Sequence, residues 1–77
     1  MAVVRSLDRL TTSSSRHPTE VEATYQVVRD GGEVLFQLTT YGSPERKLRG
    51  KGSQTLQFDR SMAERLVAAL REAFPGL

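Results

Sequence analysis

Two runs of alternating polar and apolar residues flank Asp30-Gly31-Gly32, and this arrangement constrains the fold more than any other stretch of the chain. Over residues 20–29, Val21, Ala23, Tyr25 and Val27 share one parity, and Glu20, Glu22, Thr24 and Gln26 share the other. Successive side chains of a strand point to opposite faces, so this period of two reads as a half-buried strand. Glycine reaches positive φ without steric cost, so Asp30-Gly31-Gly32 reads as a tight hairpin turn. A second strand follows over residues 33–41, with Val34, Phe36 and Leu38 on an apolar face and Leu35, Gln37, Thr39 and Tyr41 on a mostly polar one.

Gly42-Ser43-Pro44-Glu45 marks another turn. Residues 46–52 are basic and hold Gly50 and Gly52, which suits either a third irregular strand or an arm. Alternation resumes over residues 53–58, with Gln54, Leu56 and Phe58 on one face and Ser53, Thr55 and Gln57 on the other. Asp59 is placed to cap a helix running from about residue 60 to 74, because a carboxylate accepts from the orphan amides of a first turn. Ser61 and Glu64 offer an alternative capping box. Met62, Ala63, Leu66, Val67, Leu70, Ala73 and Phe74 form an apolar stripe, and Pro75-Gly76 ends the helix. The expected fold is α+β: an antiparallel sheet of three to four strands followed by one C-terminal amphipathic helix. The helix stripe is expected to cover the apolar side of the sheet, which places Tyr25, Phe36, Phe58 and Phe74 in the core.

Residues 1–19 are expected to form a mobile N-terminal segment ahead of one domain over residues 20–77. Residues 3–10 suit either a helical turn or a short strand, and residues 11–19 contain no apolar residue and include Pro18. The N-terminus lacks the long apolar stretch of a signal peptide, and no segment approaches the roughly 18 apolar residues needed to span a membrane. The cytoplasm is the expected location. A single core in a chain of 77 residues supplies only about 3–5 kcal/mol of net stability. With no Cys and one His, disulfides, thiolate zinc sites and histidine clusters are excluded. Self-association is the remaining common way to add stability.

The inventory argues against an enzyme. His17, the only His, sits in the Ser/Thr-rich loop beside Pro18 with no oriented partner, and reads as an ordinary loop residue. Glu20 and Glu22 share a strand face, but no third carboxylate lies nearby, and alternating Glu on a solvated face serves solubility. Arg49-Gly50-Lys51-Gly52-Ser53 resembles the end of a phosphate loop, yet it lacks the first glycine and leads into a strand pattern. No cofactor is expected.

Charge supplies the functional signal. Residues 1–43 carry four basic and five acidic groups, and residues 53–77 carry three of each. Between them Arg46, Lys47, Arg49 and Lys51 face only Glu45, so this segment holds the positive excess. Four closely spaced cations suit a phosphate backbone, whose counterions are released on binding. The sheet face of Gln37, Thr39, Tyr41, Thr55 and Gln57 offers donors for phosphates or base edges and one ring for stacking. These nine residues are the candidate nucleic-acid-binding set, with a single strand favoured. A solvated basic turn beside a solvated sheet face is the plainer account of the same residues. A protein-interaction module, or a small subunit of a larger complex, is the alternative function.

Residues 33–74 resemble the positive-cofactor-four transcriptional coactivators and their short bacterial relatives. The resemblance rests on a strand ending Thr39-Thr40-Tyr41, the basic glycine-containing turn of residues 46–52, and Gln54-Thr55-Leu56-Gln57-Phe58 running through Asp59 into an amphipathic helix. It implies a homodimer holding single-stranded DNA on the sheet side, with Tyr41, Arg46, Lys47, Arg49 and Lys51 in the contact region. The chain has no Trp, which that family often carries near the turn. The whole chain also resembles small bacterial proteins that share the stretch over residues 17–25, then Thr-Tyr-Gly-Ser, then Lys-x-Ser-Gln. Some of these are labelled methionyl-tRNA formyltransferase. That activity needs a much larger cofactor domain and an Asn-His-Asp set, and this chain has no Asn.

Overall fold

The computed structural model describes residues 1–42 and 54–77. It is an α+β arrangement of a four-stranded sheet followed by a C-terminal helix. The strands are β1 (Ala2–Val3), β2 (Ala23–Asp30), β3 (Glu33–Thr40) and β4 (Gln54–Phe58), and the helix is α1 (Arg60–Ala73). The sheet order is β1-β4-β3-β2. β2 and β3 form the expected hairpin, with Asp30 opposite Glu33 and Ala23 opposite Thr40. At its turn Gly31 has φ 55° and Gly32 φ 87°, the pair of positive values that a two-residue type I′ connection requires. Beyond the ladder, the Tyr41 amide donates to the Glu22 carbonyl at 2.9 Å.

The N-terminal segment supplies the fourth strand. β1 pairs parallel to β4, Ala2 opposite Leu56 and Val3 opposite Gln57, and the Val4 amide donates to the Gln57 carbonyl at 2.8 Å. The segment then passes beside the helix. The Arg65 guanidinium donates to the Leu7 carbonyl at 3.4 Å, and Arg9 pairs with Glu72. β1 and β2 occupy opposite edges of the sheet, so residues 4–22 carry the chain from one edge to the other.

The helix begins where the sequence indicates. Asp59 is extended, and its Oδ1 accepts from the Met62 amide at 2.9 Å. Residues 60–73 contain no Gly or Pro to interrupt the ladder. The Phe74 amide still donates to the Leu70 carbonyl, after which Pro75, lacking an N–H, cannot continue the pattern.

The expected core is only partly built. Among the described residues the buried hydrophobics are Phe58 on the apolar side, at 6% exposure, and Leu35, at 8%, which lies with Gln37 and Thr39 on the side read as mostly polar. α1 packs on β3 and β4, but its half-buried residues, Met62, Ala63 and Leu66, all lie in its first half, and residues 67–77 are exposed. Tyr25, assigned to the core by its parity, is 72% exposed, and Val27 is 55% exposed. Val34 and Leu56 are exposed on the strands and Val21 just before β2, as are Val67 and Leu70 on the helix and Phe74 at its C-cap. The helix stripe therefore does not cover the apolar side of its own sheet. The reason is geometric. α1 leaves β4 through the single residue Asp59, meets the sheet with its first turns, and carries the rest of the stripe out into solvent. The radius of gyration, 14.5 Å, exceeds the about 11–12 Å expected of a compact chain this long.

Candidate functional site

Strand register assembles the polar side of the sheet into two rows. Gln26 lies opposite Gln37, and Gln37 opposite Gln57. Two residues along, Thr24 lies opposite Thr39, and Thr39 opposite Thr55. Directly opposed residues put their Cβ atoms about 4.5–5.5 Å apart on the same face, so like side chains meet across the strands. The Gln57 Nε2 donates to the Gln37 Oε1 at 2.8 Å. The hydroxyls of Thr39 and Thr55 stand 3.3 Å apart, and those of Thr24 and Tyr41 are 2.9 Å apart.

The structure thus brings together five of the residues expected to form the interface. Gln37, Thr39, Thr55 and Gln57 form two opposed pairs on one face, and Tyr41 joins the threonine row at its β2 end. The central members of the face are not an open reading surface. Thr39 is 9% exposed, and Gln37, Thr55 and Gln57 are half-buried. A glutamine amide has two donors and two acceptor lone pairs, so a single side-chain bond leaves it chemical capacity for a ligand. Thr24 and Gln26, at the β2 edge, are the exposed members of the rows. They were absent from the sequence-derived set, although their parity with Glu20 and Glu22 already placed them on the polar face.

Arg46, Lys47, Arg49 and Lys51 lie outside the described residues, as does the glycine-containing stretch of residues 49–53. The anchors on either side are described. Thr40 pairs with Gln54, so the chain leaves β3 and re-enters β4 side by side. The next pair inward is Thr39 with Thr55, which places this exit at the hydroxyl end of the polar face.

The opposite side of the sheet is apolar and carries Tyr25, Phe36 and Phe58. Tyr25 stacks on Phe36 with ring centroids 5.6 Å apart and planes at 21°, and Phe36 meets Phe58 at 6.4 Å and 50°. A groove of about 610 Å³ runs between this face and the start of α1, with Val34, Phe36 and Phe58 on one wall and Arg60, Ser61 and Ala63 on the other.

No family model, curated protein or solved structure matches this chain.

Among the described residues no group of three His, Cys, Asp or Glu side chains could hold a metal ion. His17 and Glu20 are both exposed. No helix among them is long and apolar enough to cross a membrane.

Proposed function

We propose that this chain is a non-enzymatic module that binds single-stranded nucleic acid, with single-stranded DNA favoured, in the cytoplasm. One observation carries the reading. The four cations Arg46, Lys47, Arg49 and Lys51 belong to the stretch of chain whose ends are pinned together at Thr40 and Gln54, beside the hydroxyls of Thr24, Thr39, Tyr41 and Thr55. Concentrated positive charge supplies affinity for a phosphate backbone, because binding releases condensed counterions. Hydroxyl and amide groups on β3 and β4 supply donors that position sugar and phosphate. The extended reach of a single strand suits a short run of cations between two strands in the sequence better than the fixed groove of a duplex does.

The direct test is fluorescence anisotropy with a labelled single-stranded oligonucleotide at low salt. Binding is expected for the unaltered chain and strong loss of it for the double charge reversal Lys47→Glu with Lys51→Glu. An anisotropy that stays flat for the unaltered chain at low salt sinks the reading. A second reading, a protein-interaction module, is favoured by a different observation: the apolar side of the sheet has no cover from its own helix.

A further inference from the structure

We propose that the outer edge of β2 takes up an extended segment of another protein as a further, antiparallel strand. The segment carries a basic residue opposite Asp30, an acidic residue opposite Arg29, and apolar residues opposite Val27 and Tyr25. The hydrogen-bonding parity of the hairpin defines this edge. The Tyr41 amide donates to the Glu22 carbonyl, continuing the register that sets Ala23 opposite Thr40. In an antiparallel pair, bonded positions alternate with unbonded ones. Thr24, Gln26 and Val28 therefore turn their N–H and C=O groups to β3, whereas Ala23, Tyr25, Val27 and Arg29 turn theirs outward. β2 ends the sheet order, so among the described residues no strand meets these outward groups.

The two edges of the sheet are finished differently. At the far edge the chain's own N-terminus gives β4 a two-residue parallel partner, and β1 is too short to template a further strand. β2 runs for eight residues, and every one of them except Val28 is exposed. Proteins ordinarily blunt a long edge with a Pro, a bulge or a charge at its centre. β2 contains no Pro, its register with β3 is unbroken from Ala23 to Asp30, and residues 23–28 carry no charge. Its outward donors and acceptors repeat about every 6.8 Å, twice the rise per residue of a strand. Another extended backbone matches that repeat, and strand addition to an open edge is a recurring mode of peptide recognition.

Side-chain chemistry selects the occupant. Residues directly opposite one another across neighbouring strands share a face and interact. On the polar side Asp30 already lies opposite Glu33. Two like charges in that position are unfavourable, and a Lys or Arg on an added strand relieves them. On the other side Arg29 has the parity of Val27 and Tyr25, which are 55% and 72% exposed, and the Tyr25 ring is stacked on Phe36. An antiparallel segment that starts beside Asp30 therefore reads basic, acidic, polar, apolar, polar, apolar. A second copy of β2 does not supply this pattern. Its only basic residue is Arg29, which lies on the apolar side, so paired copies bring no cation to Asp30 and Glu33.

The probe is a fluorescein-labelled peptide, Lys-Glu-Thr-Val-Thr-Val-Thr-Ser, added to the unaltered chain and followed by anisotropy and by amide hydrogen exchange read residue by residue. At saturating peptide the Tyr25 and Val27 amides are expected to exchange about tenfold more slowly, while the Thr24 and Gln26 amides, already bonded to β3, stay as they were. The same peptide with its Lys and Glu exchanged is expected to bind about tenfold more weakly, and Arg29→Glu with Asp30→Lys to reverse that preference. Val27→Pro removes an outward donor without touching the β3 ladder and is expected to abolish binding. Should that variant fail to fold, methylation of the peptide at the backbone nitrogens that face β2 must abolish binding to the unaltered chain instead. Flat anisotropy up to millimolar peptide overturns the inference. So does equal affinity for the two peptides, or protection that falls on Thr24 and Gln26 as much as on Tyr25 and Val27. Slow exchange of Tyr25 and Val27 in the chain alone also overturns it, and loss of that protection on dilution assigns the edge to a second copy. Charge reversal of Lys47 and Lys51 should leave peptide affinity unchanged, so the peptide result and the nucleic-acid result fail separately.

Discussion

Asp59 does two jobs with its two carboxylate oxygens, and the jobs differ in weight. Oδ1 accepts from the Met62 amide at 2.9 Å, satisfying one of the orphan donors of the first helical turn. Oδ2 faces the Arg5 guanidinium at 3.5 Å, and that guanidinium is largely exposed. Exposed ion pairs are screened and contribute about 0–1 kcal/mol, whereas loss of an N-cap costs about 1 kcal/mol, ranging from about 0.5 to 2. Asp59→Ala should therefore lower unfolding free energy by about 1 kcal/mol in urea titrations. Asp59→Asn keeps a capping oxygen and loses the charge, so it should cost only a few tenths of that amount, and Arg5→Ala should be equally mild. If Asp59→Asn proves as damaging as Asp59→Ala, the ion pair is the weightier contact and the capping argument fails. The same position also shows what a single residue makes legible. An Asp between an alternating run and an apolar helical stripe marks a boundary by local hydrogen-bonding chemistry alone, and Asp59 is the N-cap in the structure.

At the scale of elements, the β2–β3 hairpin is fixed by two glycines with different tolerances. Gly31 at φ 55° sits in the left-handed region that Asn also visits, and Asn-Gly is a favoured type I′ pair. Gly32 at φ 87° lies further from any conformation comfortable for a side chain. Neither site is crowded, since a Cβ built at either meets nothing within 4 Å, so backbone strain alone decides the outcome. Gly31→Asn should leave stability within about 0.5 kcal/mol, and Gly32→Ala should cost about 1–2 kcal/mol, as read from thermal and urea unfolding. Equal effects at the two positions would mean that the turn is not of this type. β2, β3, β4 and α1 were all legible because each carries its own period and its own punctuation within a dozen residues. β1 was not. Ala2 and Val3 are two residues whose strand character comes from pairing with β4, more than fifty positions away, and short apolar runs fit helix and strand alike. The fate of the apolar faces was equally hidden. Tyr25 and Val27 were correctly placed together on one side of the sheet, but parity says only that a face is apolar, and which element covers it depends on the angle at which α1 departs from β4.

At the scale of the whole molecule, the two sides of the sheet separate two kinds of binding. The polar side holds the paired Gln and Thr rows next to the Thr40–Gln54 pair, while the apolar side runs into the helix stripe. Candidate residues for the polar side were legible because strand parity and local charge both lie in the sequence. That Gln37 and Gln57, or Thr39 and Thr55, face one another required register, which no single strand encodes. This division has a quantitative consequence. Single-stranded binding weakens with salt at a logarithmic slope of about −0.7 for each phosphate neutralised, so four cations set a slope near −3 for one copy. Affinity should then fall by about fiftyfold between 50 mM and 200 mM salt, since that interval is about 0.6 of a decade. Lys47→Ala should reduce the steepness by about 0.7 and weaken binding to different sequences alike, because a phosphate contact reads no base. Gln57→Leu should behave differently, lowering affinity while leaving the slope unchanged, since an amide releases no counterion. If anisotropy titrations over a salt series gave a slope close to zero, whatever affinity they showed would come from somewhere other than Arg46, Lys47, Arg49 and Lys51. The uncharged faces of the molecule would then be the place to look for it.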